Sequence, residues 1–170
     1  LTVERPAPVL TVSGLRAPAR IVAGEPFAVE VQLEARHGGI VRERFELQAP
    51  ASLPDGPLRL GVGSAREFFQ FDAARASGLF GDHSLAATLD LLNQPRSLDE
   101  LVVALVSPRR GFTARGREFA DLPGSVRATL AQGPPHAVET TSASYVARAS
   151  RSLGALVVGS AVQDVTVRAA

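Results

Sequence analysis

The sequence predicts a mainly β (α+β) fold, an immunoglobulin-like β-sandwich with an inserted or appended α+β segment that contains two short helices. Three observations favour it. From Gly24 to Gly63, apolar and polar residues alternate in three consecutive runs, which predicts three consecutive antiparallel strands with one face in a core. Turn sequences at 37–39 and 54–56 separate the runs. The chain has 170 residues, 45% of them apolar, which suffices for one buried core.

The first part of the chain contains short strands at regular spacing. Residues 1–8 are expected to form an extended lead-in, because Pro6 and Pro8 disfavour a helix. Val9–Gly14 is a short strand, and a proline-rich strand and turn at residues 17–26 leads into the central strands. The apolar sets of the three central strands are Phe27, Val29, Val31 and Leu33, then Val41, Phe45 and Leu47, and then Leu58, Leu60 and Val62.

After Ser64 the pattern changes from strands to mixed elements. The densest aromatic patch of the chain, at residues 68–71, comes first, and a helix is predicted at Asp82–Asn93 because Leu85, Leu89 and Leu92 fall on one face. Residues 97–100 have the form of a helix capping box. The Val-rich run that follows, Leu101–Val106, is too short for a good helix before Pro108 and predicts a buried strand with a helical turn at its start.

The last part of the chain alternates strands with one short helix. Arg109–Phe119 predicts a turn and a hairpin arm, and Leu122–Gly133 predicts a short helix with Pro123 in its first turn. Two closing strands follow at Thr141–Ala149 and Leu156–Val167. The second is interrupted near Gly159, where a bulge is expected.

These elements predict three parts along the chain. Residues 1–64 supply sandwich strands, residues 65–155 form the α+β elaboration, and residues 156–170 supply a closing strand. The first and last parts are expected to form one compact unit.

Composition bears on partners and location. The formal charge is +1 and all 18 basic residues are Arg, which gives no general reason to expect a nucleic-acid partner. No apolar run reaches the roughly 18 residues that a membrane-spanning helix needs, so no membrane span is expected. Cys is absent, which excludes disulfides and thiolate sites, and Met is absent, which indicates a piece of a longer polypeptide.

The residues that could carry chemistry do not assemble into a catalytic set. Asp82, His83 and Ser84 are adjacent on a predicted helix and point in different directions, so they cannot form a relay. His37 and His136 fall in predicted solvated loops. No catalytic residue, cofactor or metal site is therefore predicted.

Gly61-Val62-Gly63 follows a strand and invites comparison with a dinucleotide-binding fingerprint. The fingerprint requires a third Gly where this chain has Arg66, and no βαβ pattern surrounds it. The two glycines are expected to end a strand.

One cluster of positive charge is a candidate surface for an anion or a partner. Phe112 and Phe119 interleave with its basic residues, as in surfaces that bind single strands or anionic polymers. The alternative is a solvated hairpin whose Phe side chains point inward. The basic residues are Arg109, Arg110, Arg115 and Arg117.

Four segments of the sequence, taken together and in order, resemble those of a known protein family. They occur in the order APARIVAGEPFAVEVQLEARHGG, APASLPDGPLRLGVG, NQPRSLDELVVALVSPRRGFTARGREFADLPGSVRATL and VGSAVQDVTVRA. Across residues 15–168 this resembles the C-terminal region of large secreted bacterial proteins that carry a SpoIVB-type serine peptidase domain. The resemblance implies an extracytoplasmic accessory module. The catalytic Ser and His of that family lie upstream, and no residue of this chain matches them.

The function expected from residues and resemblance is that of a non-catalytic accessory or interaction module of a larger exported bacterial protein. The module is expected to pack on or regulate a serine peptidase domain. Its partner would be the rest of the parent polypeptide or another protein, and its oligomeric state is left open. Two alternatives stay open: a carbohydrate- or anion-binding module using the Arg109–Arg117 hairpin, and part of a hydrolase whose catalytic residues lie mainly outside this segment.

Overall fold

A computed structural model describes residues 8–76, 98–109, 111–114, 117–119, 124–131 and 139–169. The helix predicted at 82–93 lies outside the described residues. The strands are β1 (Val9–Arg16), β2 (Arg20–Val22), β3 (Pro26–Ala35), β4 (Ile40–Gln48), β5 (Gly56–Ser64), β6 (Glu100–Ser107), β7 (Phe112–Ala114), β8 (Arg117–Phe119), β9 (Glu139–Thr140), β10 (Ser144–Ser152), β11 (Leu156–Val158) and β12 (Ser160–Arg168). The helices are α1 (Ala65–Arg75) and α2 (Gly124–Ala131).

The described chain is mainly β, and its strands form three sheets. The first sheet has the strand order β11-β1-β3-β4, and the second has the order β10-β6-β5-β12-β2. The third sheet is small and has the order β8-β7-β9. Two of the three central strands, β3 and β4, pair with each other as an antiparallel hairpin. The prediction that the third strand continues this antiparallel set is wrong, because β5 lies in the second sheet between β6 and β12.

The first two sheets share one apolar core. Its residues come from alternate positions of β1, β3 and β4 in the first sheet and of β5, β6 and β12 in the second. Val29, Leu33, Leu60 and Leu105 are fully buried there. The alternation read in the central strands therefore corresponds to burial, with one exception: Val41, predicted on the apolar face, is partly exposed near the start of β4.

Strand β6 is buried on both faces, as its unbroken apolar run predicts. Val103 and Leu105 face the shared core, whereas Val102 and Ala104 face the opposite side of the second sheet. The predicted division of the chain assigns β6 and β10 to the elaboration. Both strands belong to the second sheet, where β6 pairs with β5 and β10 pairs with β6.

Helix α1 covers that opposite side, which we call the outer face of the second sheet. Phe68 and Ala65 of the helix pack on Val102 and Ala104. The helix begins with a capping box, in which Ser64 accepts from the N–H of Glu67 and the Glu67 carboxylate accepts from the N–H of Ser64. The sequence reading missed this helix. The capping form at residues 97–100 predicted a helical turn, whereas the described residues 98 and 99 form a turn that leads directly into β6.

Two pairs of consecutive strands, β1 with β2 and β11 with β12, have their first strand in the first sheet and their second strand in the second sheet. Strand β1 pairs with β3 in the first sheet, and β2 then pairs in parallel with β12 in the second. Likewise β11 pairs in parallel with β1, and after Gly159 the chain continues as β12 in the second sheet. Gly159 has a φ of +83°, which a residue with a side chain rarely adopts. The interruption predicted there is thus a change of sheet, not a bulge.

At the opposite side of the molecule, β4 and β10 lie beside each other as edge strands of their two sheets. Arg151 of β10 donates to the carboxylate of Glu43 across 2.6 Å and to the carbonyl of Arg44. Its guanidinium lies 5.1 Å from the ring centre of Phe45. These contacts link the two sheets at that edge.

The remaining elements follow the predicted order. Strands β7 and β8 pair as an antiparallel hairpin arm, and α2 lies within the predicted helix at residues 122–133. Within the described ranges, neither helix combines the length and apolar character that crossing a membrane requires.

Candidate functional site

The outer face of the second sheet carries a groove beside α1, which we call the outer groove. Its volume is about 660 Å³. Helix α1 contributes Phe68 and Phe71 to one wall, and the exposed face of β12 contributes Val162. Pro57 and Pro108 also line the groove. The volume and the apolar, aromatic lining are those of a binding site.

Two glycines of β5 lie close to α1, and one of them, Gly61, lines the outer groove. A Cβ atom added at Gly61 would lie 3.8 Å from the Phe68 ring, and one added at Gly63 would lie 3.4 Å from Cβ of Glu67. The absence of side chains at these positions lets the helix approach the sheet closely. Gly61 and Gly63 lie in the last four residues of β5, as expected for glycines at the end of a strand, and they still pair with β6 and β12.

The apolar surface of the outer groove is open among the described residues. Val162 is 62% exposed and Phe71 is 39% exposed. Since α1 contacts β5 and β6, the neighbouring strand β12 lacks a helix above it in the described part of the chain. Exposed large apolar side chains that line one concave surface indicate a contact site more strongly than scattered ones do.

The charged groups of the outer groove lie at its rim or are already bonded. Arg59 and Asp164 form a solvated ion pair at 3.7 Å. The Glu67 carboxylate accepts hydrogen bonds from the backbone N–H groups of Ser64 and Gly159. Recognition within the groove therefore depends mainly on apolar contact.

A buried charged cluster stands behind the aromatic wall. Arg75, at the end of α1, has only 3% of its side chain exposed. Its guanidinium donates to both oxygens of Glu118 at 2.9 and 2.8 Å, to Asp72 at 2.9 Å and to the carbonyl of Ala143 at 3.0 Å. It also lies 4.0 Å from the ring centre of Tyr145. The cluster joins α1 to β8 and to the start of β10.

The charge of Arg75 is secured by its partners. Burial by itself would lower the pKa of the guanidinium, but the hydrogen bonds that it donates to Glu118 and the charges of Asp72 and Glu118 raise the pKa above its ordinary value. Arg75 thus acts as a fixed cation that orders two carboxylates. A paired arrangement of this kind holds elements together.

Tyr145 completes the cluster. Burial raises the pKa of its phenol well above the ordinary value, and the Asp72 carboxylate raises it further, against the opposing charges of Arg75 and Arg148. The ring of Phe71 lies edge-on to Tyr145 at 6.2 Å between ring centres. Phe71, which lines the outer groove, therefore packs against Tyr145 of the charged cluster.

The raised pKa of Tyr145 predicts a loss of stability in alkali. The unfolded chain releases this proton near pH ~10, whereas the folded chain retains it, so the free energy of unfolding falls as pH rises above that value by up to about 1.4 kcal/mol per pH unit. The chain has one Tyr and no Trp, so tyrosinate absorbance reports this group alone. Comparing urea unfolding of wild type and Tyr145→Phe at pH 8 and 11 checks the result. An equal loss of stability in both proteins would contradict it.

The predicted anion surface is placed only in part. Arg109 is exposed and its guanidinium lies 3.5 Å from the carbonyl of Asp55. Arg110 and Arg115 lie outside the described residues, and Arg117 lies in β8 without a described side chain. The surface therefore stays a prediction.

The two Phe residues of this hairpin arm differ from each other. Phe112 is buried, as the solvated-hairpin interpretation expects, whereas Phe119 is 41% exposed, against that interpretation.

The histidines do not contribute to the outer groove in the described chain. His37 is exposed at the tip between β3 and β4, beside Gly38 and Gly39 with positive φ. His83 and His136 lie outside the described residues. Within the described ranges there is no group of three His, Asp or Glu side chains that could hold a metal ion.

The outer groove was not predicted from the sequence, although the sequence contains signals for two of the features that form it. Ser64 and Glu67 have the spacing of a capping box, which predicts a helix over the aromatic patch. Gly61 and Gly63 share one face of a strand, which allows a close approach of another element. No pattern in the sequence indicated that the side chain of Arg75 is buried.

A scan against protein-family models and searches of curated proteins and of solved structures found no match to this chain.

Proposed function

We propose that the chain is a non-catalytic interaction module of a larger exported bacterial protein, and that it binds an apolar segment of a partner polypeptide in the outer groove. The observation that carries the proposal is the exposed apolar surface of Val162 and Phe71 beside Phe68. A site of this kind binds by excluding water from apolar side chains, at about 25 cal/mol per Å² of apolar surface buried.

A polypeptide is the occupant that fits the surroundings of the groove. The rim offers peptide groups of β12, and the interior offers aromatic and aliphatic side chains with few free polar groups. The sequence resemblance supports a partner within the same exported protein, namely a SpoIVB-type serine peptidase domain that this module packs on or regulates. It also supports a location outside the cytoplasm.

We further propose that the first two sheets form an immunoglobulin-like sandwich. The support is the shared core and the paired changes of sheet, in which β1 continues as β2 and β2 pairs in parallel with β12. In such sandwiches, binding residues are carried by the surface of a rigid scaffold.

The proposal is tested by selection from a random twelve-residue peptide library displayed on phage. Peptides that bind the wild-type chain are expected to carry apolar residues and to lose at least tenfold in affinity on Val162→Asp, because a carboxylate would then face Phe71. Arg148→Ala serves as the control, since Arg148 lies on the same face near Phe68 and outside the groove lining.

Two results would refute binding in the outer groove. One is selection of peptides whose affinity is unchanged by Val162→Asp. The other is failure to select any peptide above the level seen with that variant. Urea unfolding of both variants shows that the comparison is made between folded proteins.

A further inference from the structure

Strand β12 has a side that no other strand covers over most of its length. Its C-terminal residues Thr166–Arg168 pair with β2. Its first six residues, Ser160–Val165, pair with β5 on one side, and within the described part of the chain no strand pairs with them on the other. The gap arises because β1 stays in the first sheet until the chain crosses to β2.

The peptide groups that face this gap can be assigned from the pairing pattern. The N–H of Thr166 donates to the carbonyl of Ala19, on the side of β2. Since successive residues of a strand point their peptide groups to opposite sides, Val162 and Asp164 also direct N–H and C=O toward the gap, while Gln163 and Val165 direct theirs toward β5. The pairing with β5 has no register shift, so the alternation holds along the strand.

The core side of the gap is closed and the outer side is not. The side-chain amide of Gln163 accepts from the N–H of Ala17 at 3.1 Å and donates to the carbonyl of Ala17 at 2.9 Å. These bonds hold the segment between β1 and β2 against the core face of β12. On the outer face, Val162 and Asp164 are exposed. An unpaired strand edge with an exposed apolar side chain is a template for pairing with another chain.

The other edges of the two main sheets differ from this one in the described chain. The pairing of β1 shifts register between Val12 and Gly14, and that of β10 shifts between Tyr145 and Ala147. Such irregularities disrupt further pairing. Both β2 and β11 are only three residues long. Strand β4 is regularly paired and contacts β10 through Arg151, whereas the uncovered part of β12 lines the outer groove.

We propose that a partner segment of about six residues adds to the second sheet as a β-strand along Ser160–Val165, in line with β2. The inference rests on the proposed function, because it specifies how the polypeptide occupant of the outer groove is held. Backbone hydrogen bonds to Val162 and Asp164 fix the segment, and its alternate side chains enter the groove beside Val162 and Phe71.

The test uses amide hydrogen exchange of the isotope-labelled chain, followed by nuclear magnetic resonance. In the free protein, the amides of Val162 and Asp164 should exchange faster than those of Gln163 and Val165, which bond to β5. A synthetic eight-residue peptide of alternating Thr and Val, flanked by Lys, should then slow the exchange of Val162 and Asp164 selectively. Equal protection of all four amides in the free chain would overturn the proposal, as would protection that rises with protein concentration, which would indicate a second copy.

Peptide variants distinguish strand addition from side-chain binding alone. N-methylation of one alternate set of peptide residues should abolish binding, and methylation of the other set should be tolerated, because only one set faces β12. Equal effects of the two sets would refute strand addition while leaving groove binding standing.

Protein variants separate the same outcomes. Val162→Pro removes an N–H that faces the gap while keeping the ladder with β5, and should weaken peptide binding at least tenfold. Val162→Ala keeps that N–H and should retain the slowed exchange at Asp164 with weaker binding. Loss with Val162→Ala equal to that with Val162→Pro would favour apolar contact without pairing, and no loss with either variant would refute both the strand addition and the groove.

Discussion

Replacing Arg75 with Met is expected to lower the free energy of unfolding by about 3 kcal/mol. The substitution keeps much of the side-chain volume but leaves the partly buried carboxylates of Glu118 and Asp72 without their cation. Arg75 bonds Glu118 through two N–H groups and also caps the carbonyl of Ala143. Urea unfolding followed by circular dichroism measures the loss.

Arg148→Met provides a matched control for this prediction. Arg148 also lies near the Tyr145 ring, with its guanidinium 5.6 Å from the ring centre, but it is exposed. Its replacement should change the free energy of unfolding by less than about 1 kcal/mol, since solvent already screens the charge. Similar losses for the two variants would mean that burial of Arg75 has no special role.

The double variant Arg75→Met with Glu118→Gln tests the cause. If the unpaired carboxylate is responsible, removing its charge should restore part of the stability lost in Arg75→Met, so the two changes will not be additive. Additive losses would instead assign the effect to packing of the Arg75 side chain. The result also concerns the outer groove, because Phe71 lines the groove and packs against Tyr145 of this cluster.

Replacing Leu105 with Ala is expected to lower the free energy of unfolding by about 2 to 5 kcal/mol. Leu105 is fully buried on β6, pairs with Leu60 and faces the core shared by the two main sheets. Truncation removes three buried carbons and leaves a cavity that rigid strands on both sides cannot fill. Urea unfolding at neutral pH measures the change.

Val162→Ala is the comparison on the same sheet. It also truncates an aliphatic side chain, but Val162 is mostly exposed, so its effect on stability should stay within about 0.5 kcal/mol. A large loss at Val162 would show that its side chain is covered in the folded chain, which would contradict an open outer groove. A small loss at Leu105 would contradict the shared core.

Local patterns in the sequence were sufficient for most strands. The alternation of Phe27, Val29, Val31 and Leu33 determines which face of β3 is buried, because the side-chain period of a strand is two residues. The unbroken run at Leu101–Val106 indicated a strand covered on both faces for a similar reason. Helix α1 was not predicted, because the aromatic residues alone do not indicate a helix. The signal for the helix is the capping box formed by Ser64 and Glu67.

Features that depend on distant parts of the chain were not predictable. The change of direction at Gly159 could be read as a bulge or a crossing, since glycine with positive φ serves both. The pairing of β5 with β6 joins residues separated by α1 and the residues after it, and local propensity carries no information about such partners. The same limit applies to Glu118, whose partner Arg75 lies 43 positions away.

The sequence by itself determined that the chain is mainly β, where its central strands run and which of their faces are apolar, because these properties depend on residues close together along the chain. The tertiary structure alone decided that α1 covers β5 and β6 but not β12, that Arg75 is buried with two carboxylates, and that β2 reaches only the end of β12. These features depend on how far each element extends over its neighbours in space. The outer groove and the uncovered edge of β12 result from that difference in coverage.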